Sequence, residues 1–191
     1  LKSAKEHGVC ISFDLNYRAK LWTEDIEGKQ AMLREMIEYA DICFGNARDA
    51  AKCLGYAEKD KNFIDGDYSI CVDEKHMENV RERYGFTNLI TTLRKSISAS
   101  DNGWSGAVCS ESGLYQGSGY NLHIVDRVGG GDSFAAGFLH GILTHMEPDR
   151  ALEFALAAAA IKHTIPGDLN YISEEEVLTL MNSDGSGRVN R

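Results

Sequence analysis

Four short apolar runs, at 9–14, 41–44, 88–93 and 122–125, alternate with helical stretches and constrain this chain most. Each run is strand-sized and bounded by loop residues, so each reads as a buried strand. Between them apolar residues recur at helical spacing. Met32, Leu33, Met36 and Ile37 line one face of a helix expected over 23–40, with Thr23 as its cap and Glu24 and Asp25 in its first turn. Further helices are expected over 2–7, 47–54 and 76–84, ended by Gly8, Gly55 and Gly85 in turn. Another follows the glycines at 129–131 and runs to 145; Pro148 opens the next, alanine-rich to 162; Ser173-Glu174-Glu175-Glu176 is a capping box for the last. The segment 96–115 alternates weakly, and its Asp101-Asn102-Gly103 signals a hairpin turn. Residues 56–72 are polar and irregular, as in a surface excursion.

Strands alternating with helices imply an α/β fold, a mostly parallel sheet flanked by helices. At 191 residues the chain is expected to form part of one domain over 1–182, with a Gly/Ser-rich mobile tail over 183–191. Ligands of such sheets bind past the carboxyl ends of the strands. Four polar clusters fall there: Asp14 to Arg18, Asn46 to Asp49, Thr92 to Ser96, and Gly129 to Asp132.

The net charge of −9 argues against nucleic acid or an anionic membrane surface as partner. Apolar runs fall short of the roughly 18 residues of a membrane span. No secretory leader is visible, although the chain starts at Leu1 rather than Met. Cys10, Cys43, Cys53, Cys71 and Cys109 are odd in number and scattered, which fits buried free thiols of a reducing cytoplasm better than disulfides or zinc ligands.

The glycine run carries the chemistry. In Asp126-Arg127-Val128-Gly129-Gly130-Gly131-Asp132-Ser133, three glycines allow a tight turn and close backbone approach, and a helix begins at once. Its unpaired N–H groups and dipole favour a phosphate there. A carboxylate repels an anion, so Asp132 makes sense beside it as a base that takes a proton from an attacking hydroxyl. The competing reading is structural: a glycine turn with Asp132 or Ser133 as helix cap. Arg18 is suited to a carboxylate or phosphate, or else to a surface ion pair; Asn46 is a good helix cap, with Asp49 at N3. Arg94 and Lys95 are candidate phosphate neighbours or solvated strand-end charges. The consecutive glycines do not fit the dinucleotide fingerprint, which disfavours an oxidoreductase.

The run resembles the C-terminal signature of the PfkB (ribokinase-like) carbohydrate kinases, Asp-Thr-Thr-Gly-Ala-Gly-Asp before a helix. Asp126, Gly129, Gly131 and Asp132 match; Arg127-Val128 replace Thr-Thr, and Gly130 replaces Ala at no expected steric cost. The resemblance implies that Asp132 is the catalytic base and that the Gly129, Gly130 and Gly131 amides form an anion hole. Asp14-Leu15-Asn16-Tyr17-Arg18 with Leu21-Trp22 is similar to a segment of the family's 2-keto-3-deoxygluconate kinases, implying Asn16, Arg18 and Asp132 as substrate contacts. Asn46-Ala47-Arg48-Asp49 resembles the family's Asn-x-x-Glu, implying Mg²⁺ held by Asn46 and Asp49 through water. Thr92-Leu93-Arg94 resembles a nucleotide-site turn, implying ATP contacts from Thr92, Arg94, Ser96, Gly129 and Gly131. Residues 157–167 look like the helix and loop bordering adenine, with Lys162, His163 and Thr164 as weaker candidates.

The resemblance thus implies a ribokinase-like fold lacking its front part and β lid, ATP and Mg²⁺ as cofactors with a monovalent cation allowed, and a cytoplasmic enzyme able to form homo-oligomers. The implied reaction moves the ATP γ-phosphoryl to a sugar acid, 2-keto-3-deoxygluconate. The alternatives are another PfkB sugar kinase of fructokinase or ribokinase type, or a non-catalytic nucleotide- or sugar-binding relative. Because the likeness covers only the second half of such kinases, the chain is expected to be a C-terminal fragment of low stability on its own.

Overall fold

The computed structural model describes residues 1–56, 72–98 and 100–183. The expected excursion at 56–72 and the expected tail fall almost wholly outside them. The elements run α1 (Lys2–Glu6), β1 (Ser12–Asp14), a 3-10 turn (Ala19–Leu21), α2 (Ile26–Ile37), β2 (Ile42–Phe44), α3 (Ala47–Leu54), α4 (Glu74–Tyr84), β3 (Asn88–Ser96), β4 (Asp101–Ser110), β5 (Gly113–Gln116), β6 (Tyr120–His123), α5 (Gly130–Leu143), α6 (Pro148–Lys162) and α7 (Glu174–Met181). The strands form one mixed sheet in the order β1-β2-β3-β4-β5, with β6 also on β4.

The chain divides into two compact units. The first holds described residues 1–56, 72–91 and 109–114. In it β1 pairs parallel with β2 and β2 with β3, in the registers Ser12 to Ile42 and Ile42 to Asn88. β2 is buried on both faces, as a short run of apolar residues requires. The core beneath it joins Ile37, Cys43, Cys53, Leu54, Met77, Val80 and Phe86. Gly45 lets the chain leaving β2 close onto Leu15, whose Cδ1 lies 2.6 Å from where a Cβ would stand.

The second unit holds 92–98, 100–108 and 115–183. Here β6 runs antiparallel to β4. Helices α5 and α6 pack at very close range, because Gly137 and Gly141 face Ala155 and Ala151; a Cβ at Gly141 would meet that of Ala151 at 2.7 Å. The alanine-rich face of α6 is therefore a packing face, buried from Phe154 through Ala160.

Several expected details shift. The cap of α2 is Asp25, in left-handed conformation, whose carboxylate accepts the Gly28 N–H; Thr23 is not the cap. The turn into β4 lies earlier than Asp101-Asn102-Gly103, which is the start of the strand. Ser98 makes that turn: its hydroxyl donates to Asp101 Oδ2 at 2.7 Å and accepts the Asp101 N–H at 2.9 Å. Cys43, Cys53 and Cys109 are buried free thiols as expected, whereas Cys10 is exposed; Cys71 lies outside the described residues.

Candidate active site

In the second unit, α5 starts directly from the glycine run. Gly129 is its cap, at φ +75°, and no side chain caps the helix. Asp132 therefore does not serve as the cap; it sits exposed in the first turn, and Ser133 is buried. The first helical bond is Ser133 N–H to the Gly129 carbonyl at 2.8 Å, and the Gly130 N–H turns back to the Arg127 carbonyl at 3.3 Å. The Gly131 and Asp132 amides are the remaining first-turn donors, which helix geometry leaves without partners in the helix.

The three glycines serve different purposes. At Gly129 the left-handed φ and the Asp168 carbonyl, 2.5 Å from a would-be Cβ, both demand glycine. At Gly130 a Cβ would stand 2.7 Å from His163 Cε1. An alanine here would have to displace the His163 ring, whereas the glycine fits without cost. At Gly131 nothing lies within 4 Å of a would-be Cβ and φ is not positive, so the fold itself has no need of glycine.

Behind the loop, Asp126 staples it down. Its Oδ1 accepts the Val128 N–H at 3.0 Å and its Oδ2 accepts the Gly167 N–H at 2.8 Å. Those backbone donors hold its carboxyl below the usual range, helped by the charge of Lys162. His163 is buried against Trp104, with ring centroids 4.9 Å apart, and its Nδ1 lies 2.6 Å from the Ala159 carbonyl. Burial pushes its pKa down, and the charges of Arg94, Lys162 and Arg127 push the same way. His163 thus lies within reach of three cations, with the Asp126 carboxylate bound to the loop beside it. Arg94 is one of those cations, whereas the Cβ of Lys95 packs 3.3 Å from a would-be Cβ at Gly103. Successive strand residues point to opposite faces, so Thr92, Arg94 and Ser96 share one face of β3 and Lys95 lies on the other. Thr164 is exposed, while Lys162 and His163 are buried under the loop.

In the first unit, the ends of β1 and β2 bring the other two clusters together. Asn16 adopts φ +40°, and its N–H donates to Asp14 Oδ1 at 3.0 Å. Arg18 is exposed, its Nη1 donating to the Tyr17 carbonyl at 3.1 Å, and Tyr17 packs against Trp22 at 5.5 Å. Asn46 and Asp49 make a full capping box on α3: the Asp49 N–H donates to Asn46 Oδ1 at 2.9 Å and the Asn46 N–H to Asp49 Oδ2 at 3.2 Å. Burial raises the Asp49 pKa, opposed by the Asn46 N–H and by the charges of Arg48 and Arg18. Among the described residues no group of three or more His, Cys, Asp or Glu is placed to hold a metal. With facing atoms of Asn46 and Asp49 spent on the cap, the pair suits a hydrated ion held through its water rather than a bare one.

Sequence reasoning overlooked Lys162 as a structural charge. The signal was present: Leu152, Ala155, Ala159 and Lys162 fall on one helical stripe, and a lysine on a buried stripe needs an explanation.

Helix α5 thus has the glycine cap and exposed first-turn aspartate that the resemblance to the PfkB kinases implies. The family model described as pfkB family carbohydrate kinase matches residues 1–174, and the chain belongs to that family. A 2-dehydro-3-deoxygluconokinase from Thermotoga maritima is similar in structure, with 40% identity and a TM-score of 0.84 over 95% of this chain and 53% of that one. A PfkB family carbohydrate kinase from Listeria grayi shares 32% identity, with a TM-score of 0.81 and the same coverage of 95% and 53%. A 2-dehydro-3-deoxygalactonokinase from Haloferax volcanii is 27% identical over 98% of this chain and 52% of its own length. The chain thus spans about half the length of the relatives it matches. Among the described residues no helix is long and apolar enough to cross a membrane.

Proposed function

We propose that this chain carries the phosphoryl-transfer half of an ATP-dependent sugar kinase acting on a sugar acid, with 2-keto-3-deoxygluconate as the substrate. Gly131 carries the reading. A glycine that the fold does not require, beside first-turn amides and an exposed carboxylate, is accounted for by a ligand that must come close to the backbone.

In this reading the Gly129-Gly130-Gly131 loop is the anion hole, and the Gly131 and Asp132 N–H groups aim at the charge that builds on the transferring phosphate. Such preorganised donors are worth roughly 3–4 kcal/mol each at a transition state. Asp132 takes the proton of the attacking hydroxyl, and the oxygen so freed displaces ADP from the γ-phosphorus. Arg94, with Thr92 and Ser96 on the same face of β3, lines the ATP phosphates. Arg18 and Asn16 meet the sugar, and the guanidinium answers the substrate's carboxylate. Asn46 and Asp49 would hold the hydration shell of a magnesium ion, which when bound would neutralise charge on the phosphates. The names of two similar proteins, a 2-dehydro-3-deoxygluconokinase and a 2-dehydro-3-deoxygalactonokinase, support an acidic keto-deoxy sugar.

The test is a phosphotransfer panel with the protein at its natural full length, offering 2-keto-3-deoxygluconate, gluconate, fructose and ribose with Mg-ATP. Turnover of the keto-deoxy acid well above the neutral sugars is expected, and Arg18→Met should remove that preference. Equal rates on fructose or ribose would refute the acid-sugar assignment.

A further inference from the structure

Lys162 ends α6 on its buried face and is 0% exposed. Its Nζ donates to the main-chain carbonyls of Ile165 at 3.1 Å and Gly167 at 2.7 Å. Removing an ammonium from water costs several kcal/mol, so a buried one persists only where its surroundings repay it. Here the surroundings are carbonyl oxygens and a nearby carboxylate, Asp126, whose ionised form the lysine charge favours. Backbone carbonyls are also the donors that replace water around a potassium ion. The donor set is the kind that would hold an alkali ion, and the chain has put its own cation on it.

The position gives that cation leverage over the glycine loop. Gly167, whose carbonyl Lys162 binds, also donates its N–H to Asp126, and Asp126 holds the Val128 N–H just before Gly129. Gly129 in turn is wedged against Asp168, with a would-be Cβ 2.5 Å from the Asp168 carbonyl and 3.2 Å from Lys162 Cε. The ammonium therefore fixes the 165–168 turn on which both sides of the anion-binding loop rest. The charged or titratable groups around it are Arg94, Arg127 and His163, together with the Asp168 carboxylate, whose Oδ1 lies 3.1 Å from the same would-be Gly129 Cβ.

We propose that Lys162 is a positioning residue, a built-in monovalent cation that organises the glycine loop and makes a diffusible potassium or sodium ion unnecessary there. Its bearing on catalysis rests on the kinase reading above; its bearing on loop structure does not.

The experiment compares the full-length natural protein with Lys162→Ala and Lys162→Met in lithium, tetramethylammonium, potassium and ammonium chloride at constant ionic strength. Thermal unfolding and the ATP KM are both read. The parent protein should give the same values in all four salts. Lys162→Ala should unfold at lower temperature and show an ATP KM raised by about 10–100-fold, the range seen for residues that support a binding site from behind. Potassium or ammonium should restore part of both losses in a saturable manner; lithium and tetramethylammonium should not. Lys162→Met keeps the packing of the stem but not the charge, so it should lose ATP affinity without rescue. If the alanine variant does not fold, the methionine variant and the salt response of the parent decide alone. A parent protein activated or stabilised several-fold by potassium would overturn the proposal, and so would a methionine variant with parental ATP KM and unfolding temperature. Should the protein phosphorylate no sugar, the unfolding measurements still test the internal cation, so the two failures are told apart.

Discussion

Gly131→Ala separates what the fold needs from what the ligand needs. The position is helical, its φ is not positive, and the new methyl would meet no atom within 4 Å. Alanine is favoured over glycine in a helix by about 0.5–1 kcal/mol, so the variant should be as stable as the parent or slightly more so. For a chain of this size that is a rise of roughly 2–4 °C in Tm at most. A transferring phosphate, however, must place an oxygen about 3 Å from the amide donors, where the methyl now crowds it. Losing one such donor typically costs about 10²–10³ in kcat, and that loss is the expectation here. The assay pairs a thermal melt with steady-state phosphotransfer on the full-length protein. A variant that melts normally and turns over at parental rate would show that nothing approaches Gly131, and the anion-hole reasoning would fail.

Gly130→Ala should behave oppositely, losing about 1–3 kcal/mol of stability through overpacking, because the His163 ring it strikes is held by Trp104 and the Ala159 carbonyl. Chemical denaturation checks it, and combining it with His163→Ala should give a non-additive recovery; strict additivity would mean the two do not touch. His163 also sets a pH response. Its folded pKa lies below the unfolded value of 6.5, so the unfolded chain binds more protons and stability is lost as pH falls below about 6.5. Melts from pH 7.5 to 5 should therefore fall more steeply for the parent than for His163→Gln, and parallel curves would contradict this. Asp126 has the same sign at lower pH: its depressed carboxyl stabilises above 3.8 and that contribution disappears in stronger acid, a loss that Asp126→Asn should not show.

Much of the architecture was legible because local signals agreed with one another. Helix α3 starts at Asn46 and stops at Gly55 as its capping residues dictate, and α6 opens on Pro148. The capping box at Ser173 does the same for α7. The departures have tertiary or side-chain causes that no window of sequence contains. Asn102-Gly103 has the composition of a turn, yet Ser98 closes the hairpin first and Gly103 is spent on making room for Lys95 across the sheet. The cap of α2 moves to Asp25 because that residue tolerates a left-handed backbone. At the site, the glycine run was legible as the start of a helix with Asp132 in its first turn. The reason for Gly130 was not, since it depends on a histidine 33 residues later that only packing brings beneath it. Lys162 was hidden for a similar cause: its acceptors are main-chain oxygens, which every residue carries and no motif records.

In the proposed reaction, Asp132 ionises the sugar hydroxyl in front of the helix amides. Asp132→Asn in the full-length protein tests it most directly, because the amide keeps the shape of the side chain and cannot act as the base. With turnover and ATP affinity measured side by side, kcat should fall by about 10²–10⁴ while the Kd for ATP stays within a few-fold of the parent. An asparagine variant that phosphorylates its sugar at near-parental rate would contradict the claim.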